Sequence, residues 1–422
     1  MMNDLRNDED IQGNVLAGFN KPHMRFLLLR LPPDPAAARA WLAELAPLVA
    51  TTREVADYND GFASGKQEPK TWIALALTRW GLEAVGVRSV ERALADHHAF
   101  LFGPAERARD LGDDGDSAPG AWDFGAQPEA IHAVVTVAAD DPDTDLPAAL
   151  ELVHEIGDRH GCERVTELHG DKLGSGAGSR EHFGYRDGIS QPRVRGFNTI
   201  EDTPFVAPGE FVLGHASEAG PAGDMPDWLR NGSFMVLRKL EQDVDAWRTA
   251  AASGDPEQWA AQMMGRFPDG TPTAKAHDLN GFTFAGDDDG YRTPLTAHIR
   301  KVCPRDDDRF ASQRRRIMRR GIPYGPPFDE DPDAERGLLF VAYVASIERQ
   351  YEYVQRLWAN RSDFPRRGAG RDAVIGQVDP GETRYLAPDD AARQPAPSAF
   401  VSTRGAVYAV ALARSALEEL AG

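Results

Sequence analysis

The stretch RFLLLRL, residues 25–31, leads into residues 36–45, whose apolar positions recur with a helical period. The same order returns where SFMVLRK, residues 233–239, leads into residues 241–251. Each of these units predicts an apolar strand followed by an amphipathic helix. Two such units in one chain indicate an internal duplication.

A second pair of strand-and-helix units supports the same duplication. The stretch WIALAL, residues 72–77, precedes a helical pattern at residues 80–85, and LLFVAY, residues 338–343, precedes one at residues 347–360. Two pairs that occur in register are a stronger indication of duplication than one pair. Further strands are predicted at residues 133–138, 165–168 and 407–412.

Alternating strands and helices of this kind favour an α+β fold, in which helices pack on one face of largely antiparallel sheets. The two halves are expected to meet near residues 200–228, where several Pro and Gly residues interrupt any regular element. A chain of 422 residues is long enough to bury a large core in two domains or in one duplicated unit.

The composition excludes some classes of function. The chain has 47 Lys and Arg residues against 66 Asp and Glu residues, a net charge of −19, which argues against nucleic-acid binding. No apolar run is long enough for a membrane span, and the acidic residues 1–10 lack an export core, which favours the cytoplasm. Cys162 and Cys303 form no CxxC pair and no CxxCH haem-attachment motif. The acidic runs at residues 287–289 and 306–308 fit solvated loops better than cation sites.

The loop most informative about function is HFGYRDGISQP, residues 182–192. Gly184 and Gly188 bracket Asp187, and glycines allow unusual backbone angles and remove side-chain bulk. A flat ligand would therefore lie close to the backbone there and face a carboxylate with little shielding. The structural alternative for this loop taken alone is an ordinary turn with an Asp side-chain hydrogen bond.

A second segment supplies the partners that Asp187 would need. It begins with PLTAHIRK, residues 294–301, where His298 lies among small and apolar neighbours, and it continues to RRGIPYG, residues 319–325. A neutral imidazole is a common axial ligand of haem iron, and a guanidinium beside a carboxylate suits an anionic oxygen species. Taken alone, His298 also fits a hydrogen-bonded core histidine.

Taken together, these segments resemble the dye-decolourising peroxidase family, in particular its longer, bacterial-type members. Residues 184–188 match the family's Gly-x-x-Asp-Gly loop, and residues 297–301 match the context of its proximal histidine. Arg319 precedes a Gly-Ile-Pro-Tyr-Gly segment, as the family's distal arginine does, and residues 10–16 look like the family's amino-terminal signature. The matches occur in the same order and span residues 10–325.

The resemblance implies two ferredoxin-like halves, as in the dimeric α/β-barrel superfamily: residues 1–205 with the Asp loop, and residues 206–422 with the histidine and the arginine. It also implies a haem b peroxidase that uses hydrogen peroxide to oxidise dyes, phenols or other aromatic donors through a ferryl intermediate. Because the chain lacks CxxCH, the haem is expected to be bound non-covalently. The oligomeric state, the physiological donor and any Mn or Ca site stay open.

The resemblance also assigns roles to particular residues. His298 is expected to be the axial ligand of the haem iron, Asp187 to shuttle the peroxide proton, and Arg319 to stabilise charge on the leaving oxygen. The other expected cofactor contacts are Gly188, Ile189 and Ser190, and, at the haem propionates, Arg300 with Lys301 and Arg305 as alternatives. Glu348, in the predicted helix after residues 338–343, is the candidate carboxylate partner of His298.

Three alternatives stay open beside the peroxidase. The first is a chlorite-decomposing relative on the same fold, although the combination of Asp187 with the arginine before Gly-Ile-Pro argues against it. The second is a haem-binding or haem-delivery protein without catalysis, and the third is an acidic α+β scaffold without haem. Replacing Asp187 and Arg319 separates the peroxidase from haem delivery, because only a catalyst loses turnover while it keeps bound haem.

Overall fold

The computed structural model describes residues 4–63, 68–174, 180–199, 204–252, 255–274, 278–305, 311–377, 383–385, 393–395 and 400–422. Its strands are β1 His23–Arg30, β2 Trp72–Leu77, β3 Ala133–Ala139, β4 Glu163–Asp171, β5 Arg193–Val194, β6 Phe205–Val206, β7 Ser233–Gln242, β8 Met318–Arg319, β9 Ile322–Tyr324, β10 Gly337–Val344, β11 Thr383–Tyr385, β12 Arg393–Pro395 and β13 Val401–Ala411. Its α-helices are α1 Gly13–Leu16, α2 Pro35–Leu45, α3 Thr52–Ala63, α4 Arg79–Ala84, α5 Val90–Ala93, α6 His98–Phe102, α7 Pro104–Leu111, α8 Asp145–His160, α9 Val244–Ala251, α10 Pro256–Met264, α11 His298–Lys301 and α12 Arg414–Ala421. Two π-helical segments, Glu348–Glu352 and Val354–Ala359, follow β10.

Among the described residues, nine strands form one antiparallel sheet in the order β4-β1-β3-β2-β13-β7-β10-β8, with β9 also paired to β10. Within the first half of the chain, the strands lie in the spatial order fourth, first, third, second. The second half repeats this order with β13, β7, β10 and then β8 with β9. The halves join where Leu77 of β2 pairs with Val410 of β13. The sheet confirms the predicted α+β fold with two ferredoxin-like copies.

The first predicted pair of copies occupies matching positions in the two halves. Strands β1 and β7 are the first strands of their halves, and a helix follows each of them, α2 and α9. Helix α9 begins at Val244 instead of at residue 241, because β7 continues to Gln242. The carboxylate of Asp243 then caps the helix by accepting the N–H of Ala246 at 2.8 Å.

The second predicted pair matched the wrong strands, β2 with β10. Sheet position matches β10 with β3 instead of β2, since β3 and β10 each lie beside the first strand of their half. Each of the two also precedes a long helical segment, α8 after β3 and the π-helical segments after β10. The counterparts of β2 are the short strands β8 and β9. An apolar strand before a helix describes β2 and β3 equally well, so only strand pairing distinguishes them.

Successive residues of the central strands point to opposite faces of the sheet, and both faces are buried. Leu27 and Leu29 of β1 pack in an outer cluster with Trp41 of α2, whereas Phe26 and Leu28 pack in an inner cluster. Each of these side chains is at most 2% exposed, a burial that contributes roughly 1.5–3 kcal/mol for a leucine or a phenylalanine. Burial on both faces explains why the strands read as continuous apolar runs instead of alternating ones.

The sheet curls so that β4, at one end, meets β9 near the other end. A Cβ built on Gly170 of β4 would lie 2.3 Å from Cγ2 of Ile322 in β9, so this close approach requires glycine. The sheet therefore encloses the inner cluster as a barrel, with helices outside. In the part of the chain that the structure describes, no helix is long and apolar enough to cross a membrane.

A third apolar cluster, outside the barrel, fixes the loop of residues 182–192. The ring of Phe183 stacks on Trp247 of α9 with centroids 4.6 Å apart, and Phe400 packs edge-on against Trp247 at 5.1 Å. These contacts attach the start of the loop to α9 and to the beginning of β13. The domain division between residues 205 and 206 stays a prediction.

Candidate active site

A large cavity lies between the 182–192 loop, helix α11 and strands β7 and β10. The space free of protein atoms is about 1740 Å³, including the part that opens to solvent. Of the predicted site residues, those that line the cavity are Asp187, Ile189, Ser190, His298, Arg319 and Arg305, the last being one of the alternatives predicted for the propionates. Gly188 lies beside it and donates its N–H to Asp187. The fold therefore brings together residues that are 132 positions apart in the chain, as Asp187 and Arg319 are.

Asp187 and Arg319 form an ion pair on the cavity wall. Nη1 of Arg319 donates to Oδ1 of Asp187 at 2.7 Å, and the N–H of Gly188 donates to the same oxygen at 2.6 Å. Desolvation raises the pKa of Asp187, but the charge of Arg319, these two hydrogen bonds and the charge of His298 together lower it below its ordinary value. Asp187 is therefore ionised at neutral and mildly acidic pH. Its Oδ2, which makes no hydrogen bond with the described residues, is the oxygen available to accept a proton.

Two glycines and one glutamine position this ion pair. Gly184 and Gly188 have φ angles of 94° and 79°, a region that other residues rarely adopt. At the end of the loop, Nε2 of Gln191 donates to the carbonyl oxygen of Arg319 at 2.8 Å, and the N–H of Arg319 donates to Oε1 of Gln191 at 3.2 Å. This pair of hydrogen bonds holds the loop in register with β8, where Arg319 lies.

His298 opens helix α11 and is held by a buried carboxylate. Its Nδ1 lies 3.0 Å from Oδ2 of Asp372, whose side chain is 0% exposed. Oδ1 of Asp372 accepts the N–H groups of Val374 and Ile375 at 2.8 and 2.9 Å. A carboxylate acceptor favours the tautomer with the proton on Nδ1 and a lone pair on Nε2. Since Nε2 makes no hydrogen bond with the described residues, it is the ring atom available to a metal.

The carboxylate partner of His298 is therefore Asp372, and the prediction of Glu348 was wrong. Burial raises the pKa of Asp372, but the charge of His298, their hydrogen bond and two backbone N–H groups lower it below its ordinary value. Glu348 instead accepts the N–H of Ala99 at 2.6 Å. Asp372 lies in the irregular segment of residues 370–377, where no periodic pattern marks it in the sequence.

Arg300, predicted to bind a propionate, does not line the cavity. Its Nη1 donates to Oδ2 of Asp287 at 3.0 Å and to the carbonyl of Thr293 at 2.6 Å, and its guanidinium lies 4.8 Å from the ring centroid of Phe284. Lys301, fully buried, donates to the carbonyl oxygens of Arg361, Phe364 and Gly370. Both cations connect α11 to neighbouring loops, which corrects their assignment to the propionates.

The first acidic run, residues 287–289, makes structural contacts. Asp287 accepts the N–H groups of Arg292 and Thr293, each at 3.0 Å, and Asp289 pairs with Arg366 at 2.8 Å. The second run, residues 306–308, lies outside the described residues. Within the described residues, no group of three His, Cys, Asp or Glu side chains is arranged to hold a metal ion.

Positive charge is concentrated at the Ser190 end of the cavity. Oγ of Ser190 accepts from Nη2 of Arg266 at 2.7 Å and from Nη2 of Arg305 at 3.3 Å. Burial, together with the charges of Arg305 and Arg319, lowers the pKa of Arg266 to about 9. A buried arginine whose pKa is lowered by neighbouring arginines favours an anionic group of a ligand at this place. Arg266 was not predicted, because nothing in its local sequence indicates an anion site.

These features fit a flat, largely apolar ligand that carries a metal and anionic groups. The imidazole of His298 offers a nitrogen, and the arginines around Ser190 offer charge for carboxylates. Apolar walls between them are supplied by Leu338, Phe340, Val374 and Ile375. The donor set of the described residues is thus that of a haem site.

The cavity contains an ion pair of a carboxylate and an arginine, together with a histidine that a buried aspartate orients. This combination of groups is that of a haem peroxidase. Comparison with known proteins agrees. The family model of the DyP dimeric alpha+beta barrel domain matches residues 10–171, and that of the Dyp-type peroxidase C-terminal domain matches residues 179–365. The chain belongs to the dye-decolourising peroxidase family, and it is a haem-dependent peroxidase whose oxidant is hydrogen peroxide.

Individual relatives cover most of this chain. Peroxidase 2 of Mycetinis scorodonius is 30% identical over 87% of this chain and 76% of its own length. Multifunctional dye peroxidase DyP2 of Amycolatopsis sp. is 30% identical over 87% of this chain and 85% of its own length. A solved structure of an ancestral D-type dye-decolourising peroxidase matches with a TM-score of 0.86 and 30% identity over 100% of both chains. The enzyme from Auricularia auricula-judae matches with a TM-score of 0.83 and 28% identity over 98% of this chain and 99% of its own.

Proposed function

We propose that this chain holds haem b non-covalently between Asp187 and His298, and that it uses hydrogen peroxide to oxidise aromatic donors. One observation carries the proposal: His298 lines the same cavity as the Asp187–Arg319 pair, and among the described residues only its Nδ1 is hydrogen-bonded, to Asp372 at 3.0 Å. The absence of a CxxCH motif supports non-covalent binding.

On the Asp187 side, the residues move a proton and stabilise charge. Bound haem supplies the iron at which peroxide is reduced and through which electrons leave the donor. The ionised carboxylate of Asp187 accepts a proton from one peroxide oxygen and returns it to the other, so that the second oxygen leaves as water. Arg319, 2.7 Å from Asp187, stabilises the negative charge that develops on the leaving oxygen.

On the His298 side, Asp372 sets the properties of the ligand. Its hydrogen bond to Nδ1 orients the ring and raises the basicity of Nε2, which strengthens donation to the iron. The two backbone N–H groups on Oδ1 keep the carboxylate ionised and fixed in place. Arg266, Arg305 and Ser190 are the groups that we assign to the haem propionates.

Aromatic donors are proposed from the relatives. A dye-decolourising peroxidase that is 27% identical to this chain, with a TM-score of 0.84, has been solved in complex with 2,6-dimethoxyphenol. We propose phenols and dyes as donors for this chain, and the cytoplasm as its location. Turnover of a phenol and a dye, and fractionation of the native cells, test these two points.

An absorption spectrum of the haem-loaded protein before and after one equivalent of hydrogen peroxide tests the proposal. We expect a Soret band that changes with peroxide and returns on addition of a phenol. Extraction with acidified acetone is expected to remove the haem, since no covalent attachment holds it. A Soret band indifferent to peroxide would favour haem binding or delivery, and a folded protein without a Soret band would overturn the haem assignment.

A further inference from the structure

Glu181 lies at the start of the Asp187 loop and organises its first turn. Its Oε1 accepts the N–H of Tyr185 at 2.8 Å, and its Oε2 accepts the N–H of Phe183 at 2.9 Å. Its own N–H donates to the carbonyl of Tyr185 at 3.0 Å, and its carbonyl accepts the N–H of Gly184 at 2.8 Å. The carboxylate of Glu181 thus fixes the turn that places Asp187 at the cavity.

A glutamine from the barrel completes the environment of this carboxylate. Gln242, the last residue of β7, donates from Nε2 to Oε2 of Glu181 at 2.6 Å and is 7% exposed. Its other amide atom, Oε1, is buried and has no hydrogen-bond partner among the described residues. Rotation of the amide would therefore offer an acceptor to a protonated Glu181. Both side chains line the cavity that contains Asp187.

The charges around Glu181 allow it to exchange a proton. Burial raises the pKa of Glu181 to about 7, although the hydrogen bonds that the carboxylate accepts lower it. The charge of Asp187 adds to the increase. Arg180 gives no compensating bond, since it donates to the carbonyls of Gly184 and Pro268. The other titratable groups nearby are Tyr185 on the same loop, Glu257 on α10 and Arg336 beside the backbone of Gln242. His182, also on the loop, lies with Nε2 2.8 Å from the carbonyl oxygen of Tyr324, and burial lowers its pKa below the ordinary value.

We propose that Glu181 is a positioning residue for the peroxide reaction, which holds the Asp187 loop when ionised and passes to a protonated state in which Gln242 is its partner. The inference rests on the proposed function, because Glu181 acts through Asp187. The two carboxyl groups of the cavity then titrate separately. Asp187 stays ionised to acidic pH, whereas Glu181 changes state near neutral pH and alters both the turn and the charge beside Asp187.

The test compares Glu181→Gln, Gln242→Leu and the matched control Glu257→Gln in the haem-loaded protein. The rate of reaction with peroxide and the rate of cyanide binding are measured from about pH 4 to about pH 9. We expect a step near pH 7 in the unmodified protein and in Glu257→Gln, and its loss in Glu181→Gln. Gln242→Leu is expected to move the step to higher pH, because the hydrogen bond that Gln242 gives the ionised carboxylate is stronger than the one it gives the neutral carboxyl group.

Infrared spectroscopy supplies a readout that does not depend on the reaction. A carboxyl C=O band that disappears as pH rises through about 7 is expected in the unmodified protein and not in Glu181→Gln. A step that survives in Glu181→Gln, or a step unmoved in Gln242→Leu, would overturn the inference. If Glu181→Gln does not fold, the pH of the step in Gln242→Leu is the deciding measurement.

A protein that binds haem but does not react with peroxide would overturn the proposed function, whereas a reactive protein without the step would overturn only the inference.

Discussion

The Asp187 side of the cavity is one loop that is closed largely by its own hydrogen bonds, whereas the His298 side is assembled from separate segments. Glu181 binds backbone groups two and four positions away. By contrast, His298 depends on Asp372, which is 74 positions away, and Asp372 is placed by the bond from its N–H to the carbonyl of Ala359 at 2.8 Å. The loop therefore carries Asp187 in a compact motif, to which β8 adds Arg319 and β7 adds Gln242, while the His298 side adjusts the ligand entirely through long-range contacts.

We expect the largest effect from a change at Asp187. Asp187→Asn keeps the shape of the side chain but removes the base, so we expect the second-order rate of the peroxide reaction to fall by about 10²–10⁴-fold. The haem should stay bound, because His298 is untouched. Stopped-flow absorption measures the rate, and the Soret band measures the haem. Asp329→Asn, at an exposed ion pair with Arg248, is the matched control and should change neither value.

Removal of Arg319 should give the next largest effect and a change in pH dependence. Arg319→Leu is expected to slow the peroxide reaction by about 10²–10³-fold, as for loss of one preorganised charge donor. Because Arg319 holds the pKa of Asp187 below its ordinary value of 3.8, Asp187 of the unmodified protein stays ionised as pH falls to about 4. In the variant this pKa rises, so the base should be lost at a higher pH. If the rate of the peroxide reaction fell at the same acidic pH in both proteins, the role assigned to the ion pair would be contradicted.

On the His298 side, two carboxylates can be compared directly. Asp372→Asn is expected to weaken haem binding or peroxide reactivity by about 10–100-fold and to raise the iron reduction potential, because the imidazole becomes a weaker donor. Glu348→Gln should leave the potential unchanged, since Glu348 binds the backbone of Ala99 instead. Spectroelectrochemical titration distinguishes the two variants. Equal shifts in both would contradict the assignment of Asp372.

The smallest effect on the peroxide reaction is expected at Arg266 and Arg300. Arg266→Leu should lower haem affinity by about tenfold or more, because it removes a charged hydrogen bond of roughly 1.5–3 kcal/mol. The acidic pH at which Asp187 is protonated and the peroxide reaction slows should not change. Arg300→Leu should instead lower the free energy of unfolding by about 3–5 kcal/mol, because it leaves Asp287 buried without its partner. Haem titration and denaturant unfolding measure the two quantities. A large loss of haem affinity in a folded Arg300→Leu would restore the propionate assignment.

Sequence reasoning worked where the signal is local. The strand-and-helix unit at residues 25–45 and its copy predicted the duplicated fold, and the glycines around Asp187 predicted a loop with special backbone angles. It was wrong where two elements share one pattern, as β2 and β3 do. It was also wrong about Arg300, because the position of an arginine next to His298 does not reveal which way a long side chain extends from a short helix.

By itself, the sequence determined the duplicated α+β architecture, the family and the segments that carry Asp187, His298 and Arg319, because apolar periodicity and short motifs are properties of neighbouring residues. The tertiary structure alone decided that Asp372 is the partner of His298 and that Arg266 joins Ser190. It also decided that Gln242 meets Glu181. These contacts join segments that are 61 to 76 positions apart, and side-chain direction and chain path, which no local pattern encodes, set each of them.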